Sequence, residues 1–330
     1  MGGNLPSGHF ARSDMYICSM NFLTECPTCG TPSLIPYAQI AAQMHPTRKK
    51  YQFDRCTSCQ LIMLNPRPNM DEMYHYYGSH YLPYRGADAW GKYRRLVDFD
   101  QQLLDKRRKS ILSKFGQLNN TSTLLDVGCG KPTFLHSVQS STGARCIGVD
   151  FSDHGWSDQP DNFTNLNLIV SAPHQFSPNQ KLDFITMWHF LEHDYTPAQT
   201  LRHMASLSKP ETVLIVEVPN FESASRRKYG NQWAGWHTPR HTFLYSPHNL
   251  RLLLQNSGWE VKDLKLSGTL SNVLLYWMSE MEKKQIDWSG SMDQYFWGLM
   301  KEQGKIFIKT LLNTSASHGI MMAVASPSGK

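Results

Sequence analysis

One stretch constrains this chain more than any other. The apolar run Leu124-Leu125 passes through Asp126-Val127 into Gly128-Cys129-Gly130, and a helical pattern, FLHSVQSS from Phe134, follows. Glycines at such a junction let the backbone turn sharply and approach a ligand without Cβ interference. The strand-then-helix alternation repeats downstream. Apolar runs at 123–128, 145–151, 166–170, 182–188 and 212–218 are interrupted by helical patterns such as the one from Pro197. This alternation predicts an α/β fold with a mostly parallel sheet covered on both faces. A helix from Tyr93 to Phe115, with Leu96, Phe99, Leu103 and Leu104 at helical spacing, leads into it. Ser246-Pro247 and Gly258 start and stop another helix. A strand at 259–267, a Trp-, Tyr- and Met-rich helical region at about 270–313 and a last strand at 319–326 complete the pattern.

The second run ends in Gly148-Val149-Asp150. An acidic residue about 20 positions beyond a glycine turn is placed to hold a ribose diol through two hydrogen bonds. Dinucleotide sites share that logic. Asp126, however, reads as part of the first loop, where its charge would repel a pyrophosphate. It suits instead the cationic amino-acid end of S-adenosylmethionine.

At these residues the chain resembles the class I S-adenosylmethionine-dependent methyltransferases, in the group with an EH motif after the fourth strand. The matching pieces are LLDVGCG (124–130), GVDFS (148–152), LDFITMWHFLEHDYTP (182–197) and VPN (218–220), within roughly residues 100–326. The resemblance implies a Rossmann-like seven-stranded methyltransferase sheet ending in an antiparallel hairpin. It also implies cofactor contacts at Asp126, Gly128, Cys129, Gly130, Asp150 and Phe151, with Trp188 and His189 flanking the methionine or adenine. Two positions depart from the pattern. Pro132 replaces the third glycine, and Ser171-Ala172-Pro173 stands where an acidic residue usually meets the adenine, which leaves Ala172 and His174 as its neighbours.

Four of the seven cysteines form two C-x-x-C pairs, Cys26/Cys29 and Cys56/Cys59, with 26 residues between the pairs. Two such knuckles complete a tetrahedral Zn–S4 site with no open position, so a structural zinc ribbon is expected. Cys18, Cys129 and Cys146 read as unrelated small residues. The ribbon together with the tyrosine-rich stretch Met73–Tyr84 resembles the N-terminal part of methyltransferases of sugar, polysaccharide and natural-product pathways. In that resemblance Tyr77 and Tyr81 sit over the acceptor; packing of the ribbon onto the main domain is the alternative. The division that follows is a disordered leader at 1–14, the ribbon at 15–72, a linker and helix at 73–118, and the cofactor-binding domain at 119–330. That domain includes an acceptor-pocket insertion at about 220–246 and the C-terminal helices at about 270–313. In the leader, Gly2 hints at myristoylation, but Pro6 occupies the motif's Ser/Thr position.

Methyl transfer needs alignment of an acceptor with the cofactor and, for oxygen or nitrogen acceptors, a base. His189 and His193 flank Glu192, and in a helix they would share one face, where they could also hold a metal ion. His237 and His241 flank Arg240 in WAGWHTPRHTF (233–243), a segment that also resembles one in the zinc-ribbon methyltransferases. His193 or His241 is the expected base, with His189 a further candidate. Arg240 is the expected oxyanion clamp beside His237, reinforced by Arg226, Arg227 and Lys228.

The net charge of +6 tolerates an anionic small molecule without demanding a nucleic acid, and no apolar run suits a membrane span. The resemblance of the ribbon, the tyrosine segment and the 233–243 loop taken together implies methylation of a sugar, saccharide or natural-product intermediate, expected in the cytoplasm, by a chain that could form a homodimer through its Trp-rich helices. An RNA methyltransferase and a non-catalytic binding protein that keeps the cofactor fold are the alternatives.

Overall fold

The computed structural model describes residues 22–312 and 319–329. The leader, Gly2 and Cys18 lie outside the described residues. Three strands open the chain, β1 (Leu34–Ala41), β2 (Lys50–Cys56) and β3 (Ile62–Leu64). Two short helices follow, α1 (Met70–Tyr74) and α2 (Leu82–Arg85), and then the long α3 (Arg94–Phe115). Beyond them come β4 (Thr123–Val127), α4 (Thr133–Thr142), β5 (Arg145–Asp150), β6 (Asn167–Val170), β7 (Leu182–Trp188), α5 (Pro197–Ser206) and β8 (Ser208–Pro219). The last part holds α6 (Ala224–Tyr229), β9 (Phe243–Leu244), α7 (Pro247–Asn256), β10 (Trp259–Lys265), α8 (Asn272–Lys284), α9 (Phe296–Leu312) and β11 (Ile320–Pro327).

The large sheet has seven strands in the order β10-β11-β8-β7-β4-β5-β6. The five strands from β4 to β8 run parallel, and β11 pairs antiparallel with both β8 and β10. Every residue of β4 is buried, as a central strand covered on both faces requires. From β4 the chain moves outward to β5 and β6, then returns to the other flank at β7. The crevice between the carboxyl ends of β4 and β7 is thus the topological switch point, where open α/β sheets bind ligands.

The ribbon is not a separate lobe. Its strands form a four-stranded sheet, β1-β2-β3-β9, whose last member is contributed from residue 243 onward. Ile62 and Met63 pair with Leu244 and Phe243, so the segment that ends at His241 continues directly into the ribbon sheet. Sequence periodicity could not show this, because a two-residue strand has no period.

In α3, Leu104 and Leu112 are buried, whereas Leu96 and Phe99 are more than half exposed. Only the later turns of that helix pack against α4 and the sheet. α7 has the expected start: the Ser246 side chain caps the Asn249 N–H and Asn249 caps Ser246 in return. Among the described residues no helix is long and apolar enough to cross a membrane.

Candidate active site

Gly128 and Gly130 have φ of 72° and 48°, the left-handed region that favours glycine. Gly128 donates its N–H to the Val149 carbonyl at 2.7 Å, and a Cβ there would lie 2.5 Å from the Phe190 ring. Gly128→Ala is therefore expected to destabilise the protein by about 2 kcal/mol or more through strained backbone and a side-chain clash. A thermal melt would show it; an unshifted curve would mean that Phe190 simply swings aside.

Asp150 ends β5 and closes the turn. Its carboxylate accepts the Gly130 N–H at 2.9 Å and the Ser152 N–H at 3.4 Å. The two motifs noted in the sequence are thus joined by a direct hydrogen bond. Asp126 lies within β4 and not in the loop, because strand pairing with Gly148 and Thr186 continues through it. Its carboxylate accepts the Thr186 hydroxyl at 2.6 Å. Burial pushes the Asp126 carboxyl up to about 7 and that of Asp150 up to about 6. Both carboxyls are poised to gain from a cationic or hydrogen-bond-donating ligand.

After β7 the segment at 191–193 is a turn, not a helix, so His189 and His193 diverge. His189 has a φ of 55°, and its ring sits between Glu192 at 3.3 Å and Glu217 at 3.1 Å. Burial alone would lower its pKa, but the hydrogen bonds it donates to the two carboxylates outweigh it and raise the imidazole to about 9. Such a histidine is a fixed cation at neutral pH rather than a proton acceptor. Glu217 was missed in the sequence. It also accepts from the Thr269 N–H, from the Thr269 hydroxyl at 3.0 Å and from the Leu270 N–H at 3.3 Å. Its signal was present: one acid inside the apolar run VLIVEV has no reason to be there without partners.

His193 turns instead toward His237 and His241, with a ligating atom from each of the three within 4.8 Å of the others. His241 Nδ1 lies 2.9 Å from the Gly235 carbonyl, so that nitrogen carries the proton and Nε2 a lone pair. His237 Nδ1 lies 3.2 Å from that Nε2, and His237 Nε2 is buried with no hydrogen-bond partner. His193 Nδ1 lies 3.1 Å from the Arg240 carbonyl. Burial lowers all three imidazoles, His193 to about 4, so they are neutral at pH 7. Like His189, His237 has a positive φ, 41°. Two such non-glycine residues around one cleft mark it as a place where the fold holds strained backbone.

Tyrosines cover the cleft. Tyr77 packs its ring 5.4 Å from Phe151 and places its hydroxyl 3.1 Å from His193 Nδ1. Tyr81 lies over His237, 5.5 Å between ring centres, and Tyr84 packs on Tyr81. The preceding Tyr76 instead bonds the ribbon residue Tyr51, hydroxyl to hydroxyl at 2.6 Å. The segment thus packs on the ribbon through Tyr76, while Tyr77 and Tyr81 line the cleft beside His193 and His237.

Arg240 is fully buried and points away from the cleft, with its guanidinium donating to the Tyr76 carbonyl at 2.6 Å and the Gln43 carbonyl at 2.7 Å. It pins the ribbon and the tyrosine segment to its own loop and stacks on the Tyr81 ring at 4.9 Å. Arg226 lies over Phe221 and Trp236, Arg227 donates to the Glu222 carbonyl and Lys228 bonds the Tyr229 hydroxyl. None of these bonds reaches Arg240.

In the ribbon the four sulfurs converge. Cys26 and Cys59 are 3.5 Å apart, as are Cys29 and Cys56, and all four lie within 4.8 Å of one another. Thiolates around a tetrahedral zinc at about 2.3 Å would stand about 3.8 Å apart, so the cluster fits that ion. Trp188 completes the crevice wall, buried against Phe134 at 5.7 Å and under Arg108 at 4.9 Å.

Residues 94–264, just over half of the chain, match the family described as a methyltransferase domain. No curated relative matches the chain. Among solved structures, a chain of the Haloferax volcanii complex between the Trm112 activator and a methyltransferase is similar at 15% identity and a TM-score of 0.48, covering 73% of this chain and 97% of that one. An Archaeoglobus fulgidus S-adenosylmethionine-dependent methyltransferase is similar at 19% identity and a TM-score of 0.44, covering 68% and 93%. One from Aquifex aeolicus is similar at 20% identity and a TM-score of 0.39, covering 48% and 81%.

Proposed function

The chain belongs to the methyltransferase-domain family, and from that premise we propose that it methylates a small-molecule acceptor, a sugar, saccharide or natural-product intermediate, held beneath Tyr77 and Tyr81. Bound S-adenosylmethionine supplies a sulfonium methyl with its leaving group already attached. The residues present fit that cofactor. A Cβ at Gly130 would meet nothing within 4 Å, so the turn leaves open space beside Asp150. The Asp150 carboxylate, already held by two backbone N–H groups, keeps lone pairs for ribose hydroxyls. The buried carboxylate of Asp126 complements an ammonium, and the buried Trp188 Nε1 has a donor without a partner.

The observation that carries the acceptor assignment is Tyr77. Its ring touches Phe151, next to Asp150, while its hydroxyl reaches His193. One side chain thereby links the cofactor turn to the imidazole cluster, so an acceptor under it would meet both. Neutral imidazoles there suit the loss of an acceptor hydroxyl's proton.

The test is incubation of zinc-loaded protein with methyl-labelled S-adenosylmethionine and, separately, a panel of nucleotide sugars, free polyols and total RNA. Label on a small molecule is the expected result. Label confined to RNA would replace this reading with the nucleic-acid one.

A further inference from the structure

We propose that His193, His237 and His241 form a second metal site, distinct from the cysteine cluster, that takes a divalent first-row transition ion such as Zn2+ or Co2+. The inference rests on the reading of this cleft as the acceptor pocket, and it concerns how an acceptor oxygen is held there.

Three features carry it. First, spacing: nitrogens bound to a tetrahedral ion at about 2.0–2.1 Å stand about 3.4 Å apart. His237 Nδ1 and His241 Nε2 already lie 3.2 Å apart, and one ring nitrogen of His193 lies within 4.8 Å of a ring nitrogen of each. Second, orientation: ligating histidines characteristically donate their other ring N–H to a carbonyl, which fixes ring and tautomer. His241 does so to Gly235 and His193 to Arg240, which points Nε2 of each to the ligand role. The bond between His237 Nδ1 and His241 Nε2 gives way to the ion when the His237 proton sits on its unpartnered Nε2. Third, an unmet acceptor: Glu192 is 1% exposed, its Oε1 lies 3.9 Å from His241 Nε2, and its Oε2 has no hydrogen-bond partner. An unpaired carboxylate oxygen at such depth is costly unless a cation or donor arrives.

The charges around the cluster also define what must accompany the ion. The buried Arg240 lies on the loop between His237 and His241, and the His189 ring lies between Glu192 and Glu217. A divalent ion beside that guanidinium adds further positive charge to a buried cleft. The open coordination position therefore favours an anionic oxygen, from an ionised hydroxyl or a carboxylate of the acceptor, on the side covered by Tyr77. With the ion bound, the imidazoles serve as ligands, and the cation rather than a free imidazole acidifies the acceptor hydroxyl.

Cobalt titration of chelator-stripped full-length protein tests this. Two ions per chain are expected: one with the thiolate charge-transfer band of the cysteine cluster, one with only weak visible bands. His193→Gln and His237→Gln, the first at the cleft edge and less disruptive to folding, should each abolish the second ion and leave the first. One ion per chain in the wild type, or a second ion that survives both substitutions, overturns the site. S-adenosylhomocysteine binding, measured by calorimetry on the same samples, separates the two ideas. Retained binding without a second ion rejects only the metal site, whereas absent binding rejects the acceptor-pocket reading beneath it.

Discussion

Replacing Cys59 by serine is expected to release the ribbon zinc and to destabilise the folded chain by more than about 3 kcal/mol, since a structural zinc site supplies roughly 10–16 kcal/mol and an ion that leaves takes its contribution with it. The effect should not stop at the ribbon. β3 pairs with β9 two residues after His241, and the Leu64 N–H donates to the Thr242 carbonyl at 2.9 Å. The Gln43 carbonyl holds Arg240, while the Gln43 N–H holds the Thr238 carbonyl at 2.9 Å. Loosening the ribbon therefore displaces the loop that carries His237 and His241, whereas the glycine turn is held by β5, through the Val149 carbonyl and the Asp150 carboxylate. Metal analysis should show the lost ion, and thermal melts of wild type should shift downward when a chelator strips it. Cofactor affinity should fall less than acceptor methylation. A melting curve that ignores zinc removal would sink this account and leave the cysteines as a mere buried cluster.

That coupling also explains which parts of the molecule were legible beforehand. The seven-stranded sheet could be read because its strands are long, apolar and punctuated by turns, and the four cysteines because two knuckles have few other uses. Asp126 was misplaced by one structural step: its polarity suggested a loop, yet a Thr186 hydroxyl on the next strand satisfies it inside the sheet. Arg240 was chosen as a clamp for its fork geometry, and that geometry is used, but on two backbone carbonyls. Spacing along the chain could not reveal those acceptors, since Gln43 and Tyr76 lie 197 and 164 residues away. The same limit applied to the histidines. Paired by sequence as 189 with 193 and 237 with 241, they regroup in space, because a positive-φ turn at His189 sends its ring to Glu217 and leaves His193 to join the other two.

Asp150→Ala should weaken S-adenosylhomocysteine binding by about 1.5–3 kcal/mol, roughly 10- to 150-fold, since a charged acceptor of hydrogen bonds is lost. The pH dependence gives a sharper test of the same carboxylates. Burial raises Asp150 to about 6 and Asp126 to about 7 in the free protein. An acid with a raised folded-state pKa holds its proton more tightly folded than unfolded. Its contribution to stability is thus largest at low pH and is lost as pH climbs from about 4 through those values. Ligand affinity must move the opposite way, because the ribose and the ammonium need ionised carboxylates. Between about pH 5 and 7.5, affinity is expected to rise by up to about tenfold per pH unit for each carboxyl still protonated, while the unliganded protein becomes less stable. Asp150→Asn should remove the lower part of that rise and keep the part belonging to Asp126. Calorimetric titrations across this range, paired with melts of the unliganded protein, measure both trends. Affinity that stayed flat with pH in the wild type would mean that neither carboxylate meets the cofactor, and the crevice between β4 and β7 would lose its assignment.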